Sequence, residues 1–557
     1  MRRLLFFLLL AASLCASAQE NTMTVTYNSS FNNIVDTSFS LIMTISGNIA
    51  KITTDNGDIY SQPDVDVYLT MTDSMMYRTI QPASGERITT KSTIRNTADW
   101  KIMDDDVKIL DYQCQHARLM VNSNTIDVWY HEHPTFHGSM MPQYGVPNGV
   151  VLKVSINNTR EIEATDIKLS NTMEKLLPAT WGTMTEQHVF AKKINDMSTQ
   201  TIKVFENQRI CFSDDISSPK SLEEIHFDTT YYFAKGTIAV KKIRLPHDAY
   251  DYNIVAELSQ YSDGDAYDRT GSVFVIPTSK PLTYLHAMVY GKEQLPSFTT
   301  RSGKKYYGLV STDDYDVPVE LIRFYTPFGI RKYNSIRYGD YNWHDSAVYY
   351  HDVSDYASLL QDEVVIGVYI GNYDKNGHIV NLTLKYHPYG SGDTTHVIPV
   401  FNTLNIMEMA GQNYSDFFDT DTLQATFTTT HNIGEATMNY ISTGHGGWGG
   451  GDEFNKRENT IMFNDHTVSV TPWRCDCAGY REKNPCSGNF SDGMSSSDYS
   501  RSGWCPGTST IPFVLNFDDI RKGLHTVKVA IPQGEREGES FSYWNVSGCF
   551  VVKKVAE

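Results

Sequence analysis

In "GDAYDRTGSVFV", residues 264–275, a polar turn gives way to alternating apolar residues. Val273 and Val275 share one face of an extended chain, and Thr270-Gly271 close the turn, so a strand opens from Arg269 onward. The same period of two recurs in "DVDVYLTM", "TIDVWYH", "GVVLKVSI", "TIAVKKIRL", "EVVIGVYIG", "IVNLTLKYH", "QATFTTT" and "HTVKVAIP". The sequence has no long amphipathic helical pattern. Short strands separated by Gly, Asn and Asp turns predict an all-β chain of sandwiches or barrels. The pair Asp268-Arg269 stands at the mouth of the first of these strands. Taken alone, such a pair is an ordinary surface ion pair.

The chain opens with "MRRLLFFLLLAASLCASA". Two arginines, an apolar run and Ala16-Ser17-Ala18 predict a cleaved secretory leader over residues 1–18 and an exported mature chain from Gln19. That run is too short for a membrane anchor, and no later stretch is apolar enough to span a bilayer. Loss of the two leader arginines makes the formal charge of −18 two units more negative. An acidic chain without a basic stripe argues against nucleic acid and anionic membranes as partners. The 34 tyrosines suit sheets and sugar-stacking surfaces, since each ring has an apolar face and a polar edge.

Texture divides the remainder into residues 19–225, 226–393 and 394–557. The last contains long Gly- and Ser-rich loops, which on a rigid sheet are common places for sites. Export favours disulfides over thiols, and seven of the eight cysteines lie beyond the leader, so at least one stays free. Cys475, Cys477, Cys486 and Cys505 cluster in one loop, while Cys114, Cys211 and Cys549 are scattered. The C-x-C spacing differs from the usual zinc knuckle, which favours disulfides pinning that loop. "WYHEHPTFHG" offers His131, His133 and His137 as candidate zinc ligands; the competing reading is an aromatic strand end broken by Pro134. "STGHGGWGGGDEF" gathers His445, Trp448, Asp452 and Glu453 around glycines that would let a ligand approach the backbone.

Several motifs, in order, resemble the peptide-N-glycosidase F family. "DAYDRTGSVFV" is similar to its D-x-W-D-R strand, with Tyr267 in place of tryptophan. "RFYTPF" (323–328), "HDVSDYASLL" (351–360), "VVIGVYIGNY" (364–373) and "VIPVFN" (397–402) follow. "DEFNKRENTIMFN" resembles the segment that carries the family's glutamate, and "YSRSGWCPG" (499–507) its D-R-x-G-W-C-P-G segment. The resemblance covers about 250–552, and some relatives carry an additional N-terminal bowl-like domain.

This resemblance implies two adjacent eight-stranded antiparallel jelly rolls with a cleft between them. It implies an amidase that cuts the bond between asparagine and the innermost GlcNAc of N-linked glycans, with N-glycosylated proteins or glycopeptides as partners and a monomeric chain. Asp268 would match the essential aspartate and Glu453 the glutamate across the cleft, with Arg269 and Arg501 as supporting arginines. Tyr267, Tyr373, His445, Trp448 and Trp504 would face the sugars. Cys477–Cys505 would match a family disulfide and Cys475–Cys486 would be an addition. No metal or cofactor is required, because a carboxylate can activate water directly. Gly371 stands where a sugar-binding glutamate is expected, which favours the rival reading of a non-catalytic glycan-binding relative. A third reading is a metal-dependent oxidoreductase on paired jelly rolls, but the only His-x-His lies in the N-terminal part. The short loop "HGGWGGGDE" predicts room for a 3-linked fucose on the innermost sugar.

Overall fold

Strand Thr270–Ile276 is buried on both faces from Gly271 onward. Val273 and Val275 enter one core, while Phe274 and Ile276 enter another. The strand is central in its sheet, between Asp362–Ile370 and Val319–Tyr325. The computed structural model describes residues 21–553 except 33, 57–64, 82–85, 95–99, 106, 147, 338, 389, 391, 393, 405, 407–411, 413, 415–416, 435, 447–450, 474–475, 518–519 and 536–540; for 36–39 and 54–56 only the backbone is described. The expected leader lies outside these residues.

The chain divides into two units, residues 1–198 and 199–557. The first ends at Ser198 rather than near 225, because Gln200–Ile210 already pairs with His378–Pro388 of the second unit. Within the first unit, thirteen strands among the described residues form one sheet. Its core includes Met23, Val25, Tyr27, Met43 and Leu152. The buried Tyr27 hydroxyl donates to the Val151 carbonyl at 2.9 Å, so its polar tip is satisfied inside that core.

The second unit holds two sandwiches. In the first, a sheet ordered Gln200–Ile210, His378–Pro388, Tyr252–Ser262 and Ala347–Asp352 shares a core with a six-stranded sheet. The latter runs Thr230–Phe233, Ile238–Leu245, Asp362–Ile370, Thr270–Ile276, Val319–Tyr325 and Ser509–Thr510. The second sandwich pairs Thr395–Asn402, Tyr543–Lys553, Ala436–His445 and Phe513–Phe517 with Leu423–Thr429, Gly523–Ala530, Asn459–Phe463 and His466–Val470. All pairings in both sandwiches are antiparallel. Among the described residues the second sandwich has the eight strands expected. The first has two more, the short edge strands Thr230–Phe233 and Ser509–Thr510.

Helix Tyr284–Tyr290 explains the double burial of Thr270–Ile276. A reciprocal Thr283/His286 box caps its N-terminus, and Tyr284, Leu285 and Ala287 pack on Phe274 and Ile276. This helix, in the segment that follows Ile276, therefore covers the six-stranded sheet, while Tyr306 and Leu309 further along join the core of the second sandwich.

A buried ion pair joins the two sandwiches. Arg323, fully buried, donates Nε to Glu320 Oε2 at 3.0 Å and Nη2 to Glu320 Oε1. Its Nη1 reaches the Asn545 carbonyl at 2.7 Å and Thr443 Oγ1 at 3.2 Å, both in the second sandwich. Glu320 also accepts from Ser272 Oγ at 2.9 Å and Ser547 Oγ at 2.6 Å. Full pairing of this kind lets two opposite charges stay in a dry interior.

Candidate active site

Asp265 organises the turn ahead of the strand. Its buried carboxylate accepts from the Tyr267 amide at 3.2 Å and from Arg269 Nε at 2.7 Å. His378 Nε2 lies 3.4 Å from the same carboxylate. Burial pushes the Asp265 pKa up, but His378 and Arg269 outweigh it and hold the group down at about 2. Thr326 locks the turn from the other side, accepting from the Arg269 amide at 2.7 Å and donating to the Tyr267 carbonyl at 2.9 Å.

Arg269 is not the ion-pair partner of Asp268, although its charge still helps to lower the Asp268 pKa. Its guanidinium pairs with Asp265 four residues earlier, and its plane lies 4.9 Å from the Tyr267 ring and 5.7 Å from Tyr373. Both tyrosines are more than half exposed, so they present aromatic surface beside the cleft.

The group beside Asp268 is Arg501. Only 1% exposed, it donates Nε to Glu453 Oε1 at 2.9 Å and places Nη2 3.5 Å from Asp268 Oδ2. Its Nη1 is tied to the Tyr499 carbonyl at 2.8 Å. One guanidinium thus holds two carboxylates that are 185 residues apart in sequence, one from each sandwich. Burial raises the Asp268 pKa; Arg501 opposes this and the Glu453 charge adds to it, leaving it at about 7.

Glu453 is fixed through its own backbone. Its amide donates to the Gly446 carbonyl at 3.3 Å, and its carbonyl accepts from the Ser502 amide at 2.9 Å. Gly446 adopts φ 77°, a conformation that favours glycine. The preceding Asp452 is buried and accepts from Trp544 Nε1 at 2.7 Å, the Gly534 amide at 2.9 Å and Arg457 Nε at 2.8 Å. Asp452 thus anchors the end of the glycine-rich loop. Trp448 lies outside the described residues.

A cleft of about 270 Å³ joins these groups. Asp268, Arg269, Thr270, Tyr369, Gly371 and Tyr373 form one side; Leu404, His445, Gly446, Glu453, Trp504, Tyr543 and Asn545 form the other. Trp504 is 3% exposed, stacks on Tyr325 at 4.2 Å and donates Nε1 to the Gly444 carbonyl at 2.9 Å. Burial, with Arg323 and Arg501, lowers the His445 pKa well below its ordinary value, so the ring is neutral near pH 7. Its Nε2 lies 2.9 Å from Thr443 Oγ1, and its ring stacks on Tyr543. A side chain at Gly371 would begin 2.4 Å from the Tyr369 hydroxyl. The tyrosine therefore fills the place where a glutamate was expected.

Cys477 and Cys505 form a disulfide with 28 residues of separation. It closes the loop that carries Arg501 and Trp504. On the chain-entropy model such a closure contributes about 3–4 kcal/mol. The variant Cys477→Ser/Cys505→Ser should lose about that much in urea unfolding; an unchanged midpoint would show that the loop closes without the bond. The additional pairing expected, Cys475–Cys486, involves a residue outside those described, Cys475. Among the described residues Cys486 has no disulfide partner, and its sulfur lies toward Gly329. Cys114, Cys211 and Cys549 are buried free thiols.

The three histidines of the first unit do not converge. His131 Nδ1 faces the Gln113 carbonyl, His133 Nδ1 accepts from the amides of Thr135 and Phe136, and His137 Nε2 faces the His133 carbonyl. Among the described residues no group of three His, Cys, Asp or Glu side chains could hold a metal ion.

Sequence reasoning missed Asp265, the Glu320–Arg323 pair, Tyr369, Leu404 and Asn545. Asp265 had a usable signal, its i,i+4 spacing to Arg269. The others are single polar or apolar residues in strands or loops, whose facing depends on which strands become neighbours.

Three family models match in succession. They are "N-glycanase peptide, N-terminal domain" over residues 25–220, "Peptide-N-glycosidase F, N terminal" over 201–386, and "Peptide-N-glycosidase F, C terminal" over 413–551. Two crystal forms of PNGF-II are each 36% identical over 96% of this chain. One is covered completely, with a TM-score of 0.70; the other is covered to 99%, with 0.66. The glycosylasparaginase PNGase F from Flavobacterium meningosepticum is 15% identical over 64% of this chain and 96% of its own, with a TM-score of 0.41. No curated protein sequence gives a significant match.

Proposed function

The chain belongs to the peptide-N-glycosidase F family, and from that premise we propose that it is an amidase that releases N-linked glycans by hydrolysing the asparagine side-chain amide. The observation that carries this reading is the single buried guanidinium of Arg501 holding Asp268 and Glu453 in one cleft.

Asp268 takes a proton from a water molecule while the water oxygen attacks the amide carbon. A base with a pKa of about 7 suits this task, since it is both available and basic near neutrality. The carbon–nitrogen bond then breaks, the proton passes to the leaving nitrogen, and the products are aspartate and a 1-amino sugar. Arg501 stabilises negative charge as it develops, in a site where little water screens it. Tyr267 and Tyr373 offer ring faces to the sugars. The Cys477–Cys505 disulfide supports action outside the cytosol, on exported or foreign glycoproteins. No helix of the described residues is long and apolar enough to cross a membrane.

Reaction of an N-glycopeptide in ¹⁸O-water tests the reading. One heavy oxygen should enter the new aspartate side chain, and the 1-amino sugar, trapped before its amine hydrolyses, should carry none. Label in the trapped amino sugar, or no release, would overturn it. Because Asp268 must be deprotonated to act, kcat/KM should fall about tenfold per pH unit below about 7. A flat profile between pH 5 and 8 would remove Asp268 from the base role.

A further inference from the structure

We propose that the carboxamide of Asn545 binds the acetamido group of the sugar attached to asparagine, an assignment that rests on the amidase reading of the same cleft. Asn545 is 2% exposed, and its Oδ1 is buried without a hydrogen-bond partner. The same residue lines the cleft with Asp268 and Glu453. Leaving a buried acceptor unpaired is unfavourable, so a group in this state facing a ligand cleft is completed by a donor from the ligand.

The residue is rigidly placed. It pairs with Thr443 in the central strands of its sheet, and its carbonyl is held by Arg323. Its carboxamide is therefore set in place before the ligand arrives, which lowers the ordering cost of binding.

The surroundings select the ligand's chemistry. On this side of the cleft His445 is neutral and Leu404 is apolar. Thr403, next to Leu404, hydrogen-bonds the carbonyls of Trp544 and Val546 on either side of Asn545. Leu404 and Asn545 thus line the same part of the cleft, one apolar and one an amide. An acetamido substituent has the matching pair, a methyl and an N–H. A sugar with hydroxyls alone offers the donor without the methyl.

The test uses the full chain, an N-glycopeptide, and two disaccharide inhibitors, N,N′-diacetylchitobiose and cellobiose, which lacks acetamido groups. Asn545→Leu keeps the volume and removes the amide; Asn545→Ala is the second variant. Each should lower kcat/KM by about 10–100-fold, the loss of one buried hydrogen bond, and weaken N,N′-diacetylchitobiose inhibition by a similar factor. Cellobiose inhibition, strong or absent, should be the same in wild type and variants. Because the amide is unpaired before ligand binds, Asn545→Leu should melt no lower than wild type. The assignment is overturned if kcat/KM stays within about twofold, or if cellobiose inhibition weakens as much as that of N,N′-diacetylchitobiose. A wild-type chain that releases no glycan would instead refute the amidase reading, and N,N′-diacetylchitobiose binding to wild type and Asn545→Leu, measured by calorimetry, would still judge this one.

Discussion

Asp268→Asn is expected to lower kcat/KM by at least about 10²–10⁴-fold while making the folded chain more stable at pH 8. The two effects have one cause. The Asp268 pKa rises from 3.8 to about 7 on folding, because burial and Glu453 disfavour its charge. A carboxyl group raised in this way favours the fold below its unfolded pKa, and that contribution is lost as pH rises through about 7. At pH 4 wild type and Asp268→Asn should therefore melt alike. At pH 8 the wild type should melt lower, since it alone then holds a partly buried carboxylate charge. Near-normal turnover in Asp268→Asn would end the assignment of the base. A melting difference that does not change with pH would show that the charge is not stored at this residue.

Arg323→Met should be the most damaging single change to stability, with a loss of about 3–5 kcal/mol. The substitution leaves Glu320 buried, with Ser272 and Ser547 as donors but no positive charge. It also frees the Asn545 carbonyl at the joint between the sandwiches. Arg323→Met/Glu320→Gln should recover much of the loss, because removing both charges avoids the uncompensated one. Urea unfolding of the two variants measures this. Equal destabilisation in single and double variants would mean that packing, and not charge, explains the damage.

The all-β class was legible from alternation, which marks strands with one buried and one solvated face. Strand Thr270–Ile276 shows the limit of that signal. Val273 and Val275 predicted one buried face correctly, yet Phe274 and Ile276 are buried as well under helix Tyr284–Tyr290. That helix has seven residues, too few for a helical period to stand out in the sequence. At the site, Asp268, Glu453 and Arg501 were found through motif order and are together in space. The partner of Arg269 was misread, because adjacency in sequence suggested Asp268. Neighbouring side chains in extended chain point to opposite sides, and a turn brings i and i+4 together instead. Asn545 had no signal at all. A lone asparagine in an apolar strand is indistinguishable from a structural one until the facing wall is known.

Strand Ser509–Thr510, which follows the disulfide-closed loop, pairs with Val319–Tyr325 at the margin of a sheet otherwise built from the first half of this unit. The two halves are consequently not interchangeable modules. A break placed between them would strip one fragment of its outer strand and leave the backbone of Val319–Tyr325 open to foreign pairing. It would also leave Asp268 and Arg501 on different molecules. Residues 199–557, which the sequence reads as two domains, are therefore tied together by a shared sheet as well as by a shared site.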